Sequence, residues 1–128
     1  MNTGSECRLI DGPTPSIVRE LELTDLNVDR SLLDFSGISL LIFTGEGCAG
    51  CRWAKRHLPG LGLPVDRLCW IDAGRNGGAV ARYEVFHLPA LFVVRDGAFH
   101  GALHTRLTLP QVGEALSLAL ARTPEELP

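Results

Sequence analysis

Two cysteines, in the run Cys48-Ala49-Gly50-Cys51, are the residues of this chain best suited to chemistry. They follow the apolar run Leu40-Leu41-Ile42-Phe43 and open a segment that reads as helix, so Cys48 falls where a strand hands over to a helix N-terminus. The partial positive charge of that terminus favours thiolate over thiol, and thiolate is the nucleophilic form. Cys51 lies close enough in sequence to form a disulfide with Cys48, which makes a reversible dithiol the leading expectation. Arg52, Lys55 and Arg56 just behind the pair add positive charge in the same sense, although a solvated helix face is the commoner use of such residues.

Metal binding is the competing chemistry. Cys48, Cys51, His57 and Cys69 would supply four ligands, but structural zinc generally uses a second close-spaced pair, and the sequence has none. No metal site is expected. His57 reads as an ordinary helix residue, and His87, His100 and His104 have no ligand spacing; His87 stands out only because it lies two residues before Pro89. Cys69, inside an apolar run, reads as a small buried hydrophobe, and Cys7 as an incidental thiol in an N-terminal arm. Trp53 and Trp70 read as packing residues.

Positioning the dithiol requires a strand before it and a helix after it, and the patterning supplies both within a longer alternation. Residues 1–16, with Gly4, Gly12, Pro13 and Pro15, read as a loosely ordered arm, and 17–128 as one domain. Within the domain, Ile17–Leu23 reads as a strand, Val28–Phe35 as a helix and Ile38–Phe43 as a central strand covered on both faces. The helix from about Cys48 runs to Pro59-Gly60, Arg67–Asp72 forms another buried strand, and Ala79–Glu84 a short helix. Leu88–Val94 and Ala98–Leu103 then flank Asp96-Gly97, a two-residue hairpin signal, because both turn positions must accept positive φ. Thr108-Leu109-Pro110-Gln111 has the form of a capping box opening a helix striped by Leu109, Val112, Leu116 and Leu120. The order βαβαβαββα predicts an α/β fold: a central mixed sheet, parallel with an antiparallel hairpin edge, flanked by helices on both faces.

Composition narrows the function classes. With 128 residues, 45% of them hydrophobic, the chain suits a single core, and a net charge of −3 gives no electrostatic footprint for nucleic acid. No apolar run approaches the ~20 residues that span a bilayer, and no leader is visible, so neither membrane nor nucleic acid is expected as a partner and a cytoplasmic setting is. Four unevenly spaced cysteines do not make a disulfide scaffold, which again favours a redox pair.

The chain resembles the thioredoxin family over nearly everything after the arm. The resemblance is carried by Leu41-Ile42-Phe43, Cys48-Ala49-Gly50-Cys51-Arg52, Ile71-Asp72, Ala81-Arg82-Tyr83-Glu84-Val85, Leu88-Pro89-Ala90-Leu91-Phe92 and Asp96-Gly97. It implies the thioredoxin fold, a cis bond before Pro89 facing the cysteines, and a Leu88 backbone offered to an extended substrate. It further implies that Cys48 attacks a target disulfide and Cys51 resolves the mixed disulfide, with Gly47, Ala49 and Gly50 around them completing the substrate site. No bound cofactor is needed, since the cysteine pair carries the electrons. The implied partners are disulfide-containing proteins and an electron donor, either a thioredoxin-reductase-like flavoenzyme or glutathione.

Several positions depart from the family pattern. Gly47 replaces the usual Trp before the first cysteine, Ile42 the buried acid, Leu68 its lysine companion, and Thr105 the glycine after the hairpin. Loss of the acid removes the usual base for Cys51, leaving slower resolution, another base such as Glu46, or a persistent mixed disulfide as the alternatives. Two functions are therefore weighed: a disulfide reductase, and a binding or chaperone module using the Leu88-Pro89 groove with a weakly active cysteine pair.

Overall fold

The computed structural model describes residues 18–128, the side chain of Leu109 excepted; the expected arm at 1–16 and Cys7 lie outside them. Strand and helix alternate in the expected order: β1 (Arg19–Leu23), α1 (Val28–Asp34), β2 (Ile38–Thr44), α2 (Ala49–His57), β3 (Arg67–Asp72), α3 (Gly77–Arg82), β4 (Ala90–Arg95), β5 (Ala98–Leu103) and α4 (Leu109–Leu120). Short 3₁₀ turns at Leu58–Gly60 and Ala73–Arg75 follow α2 and β3. The sheet runs β1-β3-β2-β4-β5. β3 pairs in parallel with both β1 and β2, whereas β4 is antiparallel to β2 and to β5.

β2 is central because every one of its residues after Ile38 is buried. Successive side chains of a strand face opposite ways, and here each direction meets its own layer of helices. Leu40 and Ile42, with Leu68, Trp70, Leu91 and Val93, pack against Ala54 and Leu58 after α2 has crossed and against Val112, Ala115, Leu116 and Ala119 of α4. Leu41 and Phe43, with Cys69, Ile71, Phe92 and Val94, pack against Val28 and Leu32 of α1 and Ala79 of α3. Tyr83, Phe92 and Phe99 form an aromatic cluster beyond Phe43, with Tyr83 edge-on to both phenylalanines and its centroid 5.5 Å from that of Phe92. The hairpin is as the turn residues require: Asp96 and Gly97 have φ of 52° and 80°.

Four expectations on boundaries and caps are corrected. β4 starts at Ala90, not Leu88, because Leu88-Pro89 forms a separate bend and proline has no N–H for the ladder. α3 starts two residues earlier than Ala79 and stops at Arg82, not Glu84. Its early start has a distant cause: the Asp25 carboxylate accepts the N–H groups of Gly78 and Ala79, at 3.2 and 2.6 Å. The Thr108 capping box does not form; its hydroxyl donates to Gln111 Oε1 at 3.0 Å, so both side chains satisfy each other and no backbone donor. The first strand runs from Arg19, with Val18 before it; Ile17, its expected start, lies outside the described residues.

Candidate functional site

β2 ends at Thr44, and the loop Gly45-Glu46-Gly47 turns the chain into α2. Gly47 makes that turn at φ 72°, a conformation in which a Cβ is unfavourable. Cys48 is the N-cap of α2, with extended backbone, and its Sγ accepts the N–H of Cys51 at 3.1 Å. A thiolate at this position would keep that hydrogen bond and meet the helix dipole. Cys48 is partly exposed, whereas Cys51, one turn in, is buried at 3% exposure.

The two sulfurs are thus placed differently. Burial pushes the Cys51 thiol up to about 11, reinforced by its hydrogen bond and charge interaction with Cys48 and opposed by a backbone hydrogen bond from Gly45 and by Arg52. Cys51 opens onto a shallow cleft also lined by Thr44, Gly45, Arg52, Lys55, Arg56 and His57, none of them a carboxylate. Glu46 is exposed and lines a neighbouring cleft with Lys55 and Asp72, to which Cys51 does not contribute. Ile42 and Leu68 are fully buried among apolar side chains. Lys55 itself lies over the Trp70 ring, 4.6 Å from its centroid, and the Trp70 indole donates to Glu20.

Opposite the cysteines stands the Leu88-Pro89 bend, whose peptide bond is cis. Two glycines let it approach. A methyl at Gly50 would lie 3.0 Å from Pro89 Cδ and 3.3 Å from Leu107 Cδ1, and one at Gly45 would lie 2.7 Å from Leu88 Cδ1. The structure therefore brings Cys48, Gly50, Cys51, Leu88 and Pro89 into one site, while exposed Ala49 and open Gly47 stand at its rim. A groove lined by His87, Leu88, Pro89, Leu91, Thr105 and Leu107 runs from it toward β5. Gly45 and Leu107 were not singled out by the sequence; the first has no signal beyond its place in the loop, and the second is brought in by a loop far along the chain.

The other candidates lie elsewhere. Cys69 is in the core on the α1 and α3 side, where burial pushes its thiol up to about 11 against Arg67 and Ser39. His57 stacks on Trp53 with centroids 4.8 Å apart, and His100 is buried with Nδ1 3.3 Å from the Ala119 carbonyl. Among the described residues, no group of three or more His, Cys, Asp and Glu side chains is placed to hold a metal ion, and no helix is long and apolar enough to cross a membrane.

No family model matches the chain. It is 29% identical over 80 residues to thioredoxin of Staphylococcus saprophyticus and likewise to that of Staphylococcus haemolyticus, in each case over 60% of this chain and 75% of the relative. Among solved structures, the first thioredoxin domain of mouse protein disulfide-isomerase A4 superposes with TM-score 0.63 at 19% identity, covering 80% of this chain and 78% of that one. Thioredoxin from Trypanosoma brucei brucei gives 0.58 at 18% identity, over 88% and 93%. The zinc-bound form of human ERp44 gives 0.65 at 14% identity over 78% of this chain, which spans only 32% of that longer protein. Likeness of sequence to two thioredoxins and of fold to these structures points the same way: the chain has the thioredoxin fold and is thioredoxin-like in sequence, with the Cys48/Cys51 pair at the start of α2.

Proposed function

We propose that the protein reduces disulfides of other proteins through the Cys48/Cys51 dithiol, in a cytoplasmic setting. The Cys48 thiolate attacks one sulfur of the target disulfide; a new S–S bond forms and the other target sulfur leaves with the bonding electron pair and takes a proton. Cys51, once deprotonated, attacks Cys48 Sγ, closes the Cys48–Cys51 disulfide and releases the second target thiol. Two electrons have then passed to the target. A flavoenzyme reductase or glutathione returns them to the pair. The observation that carries this reading is the N-cap placement of Cys48, with the Cys51 N–H aimed at its sulfur.

The deciding experiment is dithiothreitol-driven reduction of insulin. Turnover is expected for the wild type, none for Cys48→Ser, and a trapped mixed disulfide for Cys51→Ser. Wild-type turnover no faster than dithiothreitol alone would transfer the site to the alternative, a binding or chaperone module on the Leu88-Pro89 groove. That alternative draws on the apolar surroundings of Cys51, which lacks a carboxylate base in its cleft.

A further inference from the structure

An apolar cleft of about 510 Å³ lies beside the cysteine site, between the loop leaving α3 and the strand β5, with Phe86, Phe92 and Phe99 in its wall. Its size is that of a ligand-binding cleft, ~300–1,000 Å³. It is continuous with the Leu88-Pro89 groove: His87, Leu91, Leu103 and His104 line both. Phe86 stands at its mouth with 89% of its surface exposed. A single exposed aromatic needs no explanation by itself, but this one precedes Leu88-Pro89 by two residues and borders an apolar wall.

The rim is mainly acidic. Glu84, Glu125 and Glu126 are exposed and carboxylate-bearing; of the other polar lining residues, Arg82 is paired with Asp29, and His87 and His104 are exposed imidazoles. An apolar floor with an acidic rim is complementary to a large apolar side chain flanked by cations.

We propose that this cleft docks the chain of the disulfide-bearing partner just beyond its cysteine, taking an aromatic or large aliphatic residue with Lys or Arg neighbours. The identity of the partner as a disulfide substrate rests on the redox reading above; the cleft's preference for a basic, aromatic segment does not.

The test is fluorescence anisotropy of a labelled extended peptide with one Phe between two Lys and a Ser in place of the cysteine, titrated with the full chain. Binding is expected for the wild type and Cys48→Ser alike, retained by Phe86→Tyr and weakened about tenfold or more by Phe86→Ser. Exchanging the peptide's Lys for Glu, or Glu126→Lys in the protein, is expected to weaken it in the same direction. No binding by the wild type, or equal binding by Phe86→Ser, overturns the proposal. So does a dimer in sedimentation that Phe86→Ser dissociates, since the occupant would then be a second copy. Insulin turnover with no peptide binding removes the cleft and leaves the redox reading; peptide binding with no turnover does the reverse.

Discussion

Cys51 sets the pace of the proposed cycle at the scale of single residues. Burial pushes the Cys51 thiol up to about 11, so little of it is thiolate at pH 7, and thiolate is the form that attacks. The sign is direct: raising pH adds thiolate, so resolution of a mixed disulfide on Cys48 should accelerate from pH 7 to 9. Stopped-flow release of a fluorescent target thiol measures this, and a resolution rate flat from pH 7 to 9 would mean that another group takes the proton. Ile42→Asp restores a carboxylate at the family's acid position and should raise the rate at pH 7 and flatten its pH dependence. It should also cost about 3 kcal/mol or more in chemical denaturation, because a fully buried Ile side chain is lost and a carboxylate takes its place. Much of this was legible in residue types alone: the spacing of Cys48 and Cys51, Pro89 and the apolar Ile42. The approach of Gly50 to Pro89 and Leu107 was not, because it depends on how closely loops remote in sequence come together.

Helix α3 shows how an element can be readable in kind and unreadable in extent. Its apolar spacing marks a helix, yet both ends are set by features that local patterning does not display. At the N-terminus, Asn76 makes no side-chain cap; its amide instead binds the Asp25 N–H and the Asp72 carbonyl, holding Asp25 so that its carboxylate caps Gly78 and Ala79. Asp25→Ala removes both bonds and is expected to lower stability by about 1–2 kcal/mol, the range for a lost N-cap. A thermal-denaturation midpoint unchanged from wild type would show that the bonds are replaced by water at no cost. At the C-terminus, Val85 N–H donates to Val80 and Glu84 N–H to Ala81, with Glu84 at φ 53°. This is the left-handed stop that helices usually make with glycine. The cost of that conformation for a residue with a Cβ is about 1–2 kcal/mol, and glycine returns about 0.5–1 of it as added freedom of the unfolded chain. Glu84→Gly should therefore stabilise by about 0.5–1 kcal/mol, read as a shift in denaturant midpoint with unchanged slope.

The whole molecule must also protect the two edges of its sheet, and it does so by different means. β1 carries Arg19, Glu20 and Glu22, charges that discourage pairing with another chain, and that device is visible in sequence. β5 has no such charges in its run Ala98–Leu103; its outer edge is covered by the chain that follows α4. Phe99 and Glu125 exchange two backbone hydrogen bonds at 2.8 Å, and Arg122 Nη1 donates to the carbonyls of His100 and Ala102 at 3.1 and 2.9 Å. A bulge at His100 turns these groups outward, and Gly101, at φ 92°, leaves room for the guanidinium, whose Nη1 would stand 2.8 Å from a methyl there. Nothing in the spacing of residues 121–128 announces a strand, because a single bridge has no period to read. Glu125→Pro tests the arrangement, since proline cannot donate the bond to the Phe99 carbonyl. One hydrogen bond is worth about 0.5–1.5 kcal/mol, too little to unfold the domain, so the expected change is local. The Phe99 amide should exchange with solvent at least tenfold faster, and sedimentation should show self-association rising with concentration as the uncovered edge finds a partner. Slow Phe99 exchange and a concentration-independent monomer in Glu125→Pro would show that β5 is protected by its bulge and not by the chain lying along it.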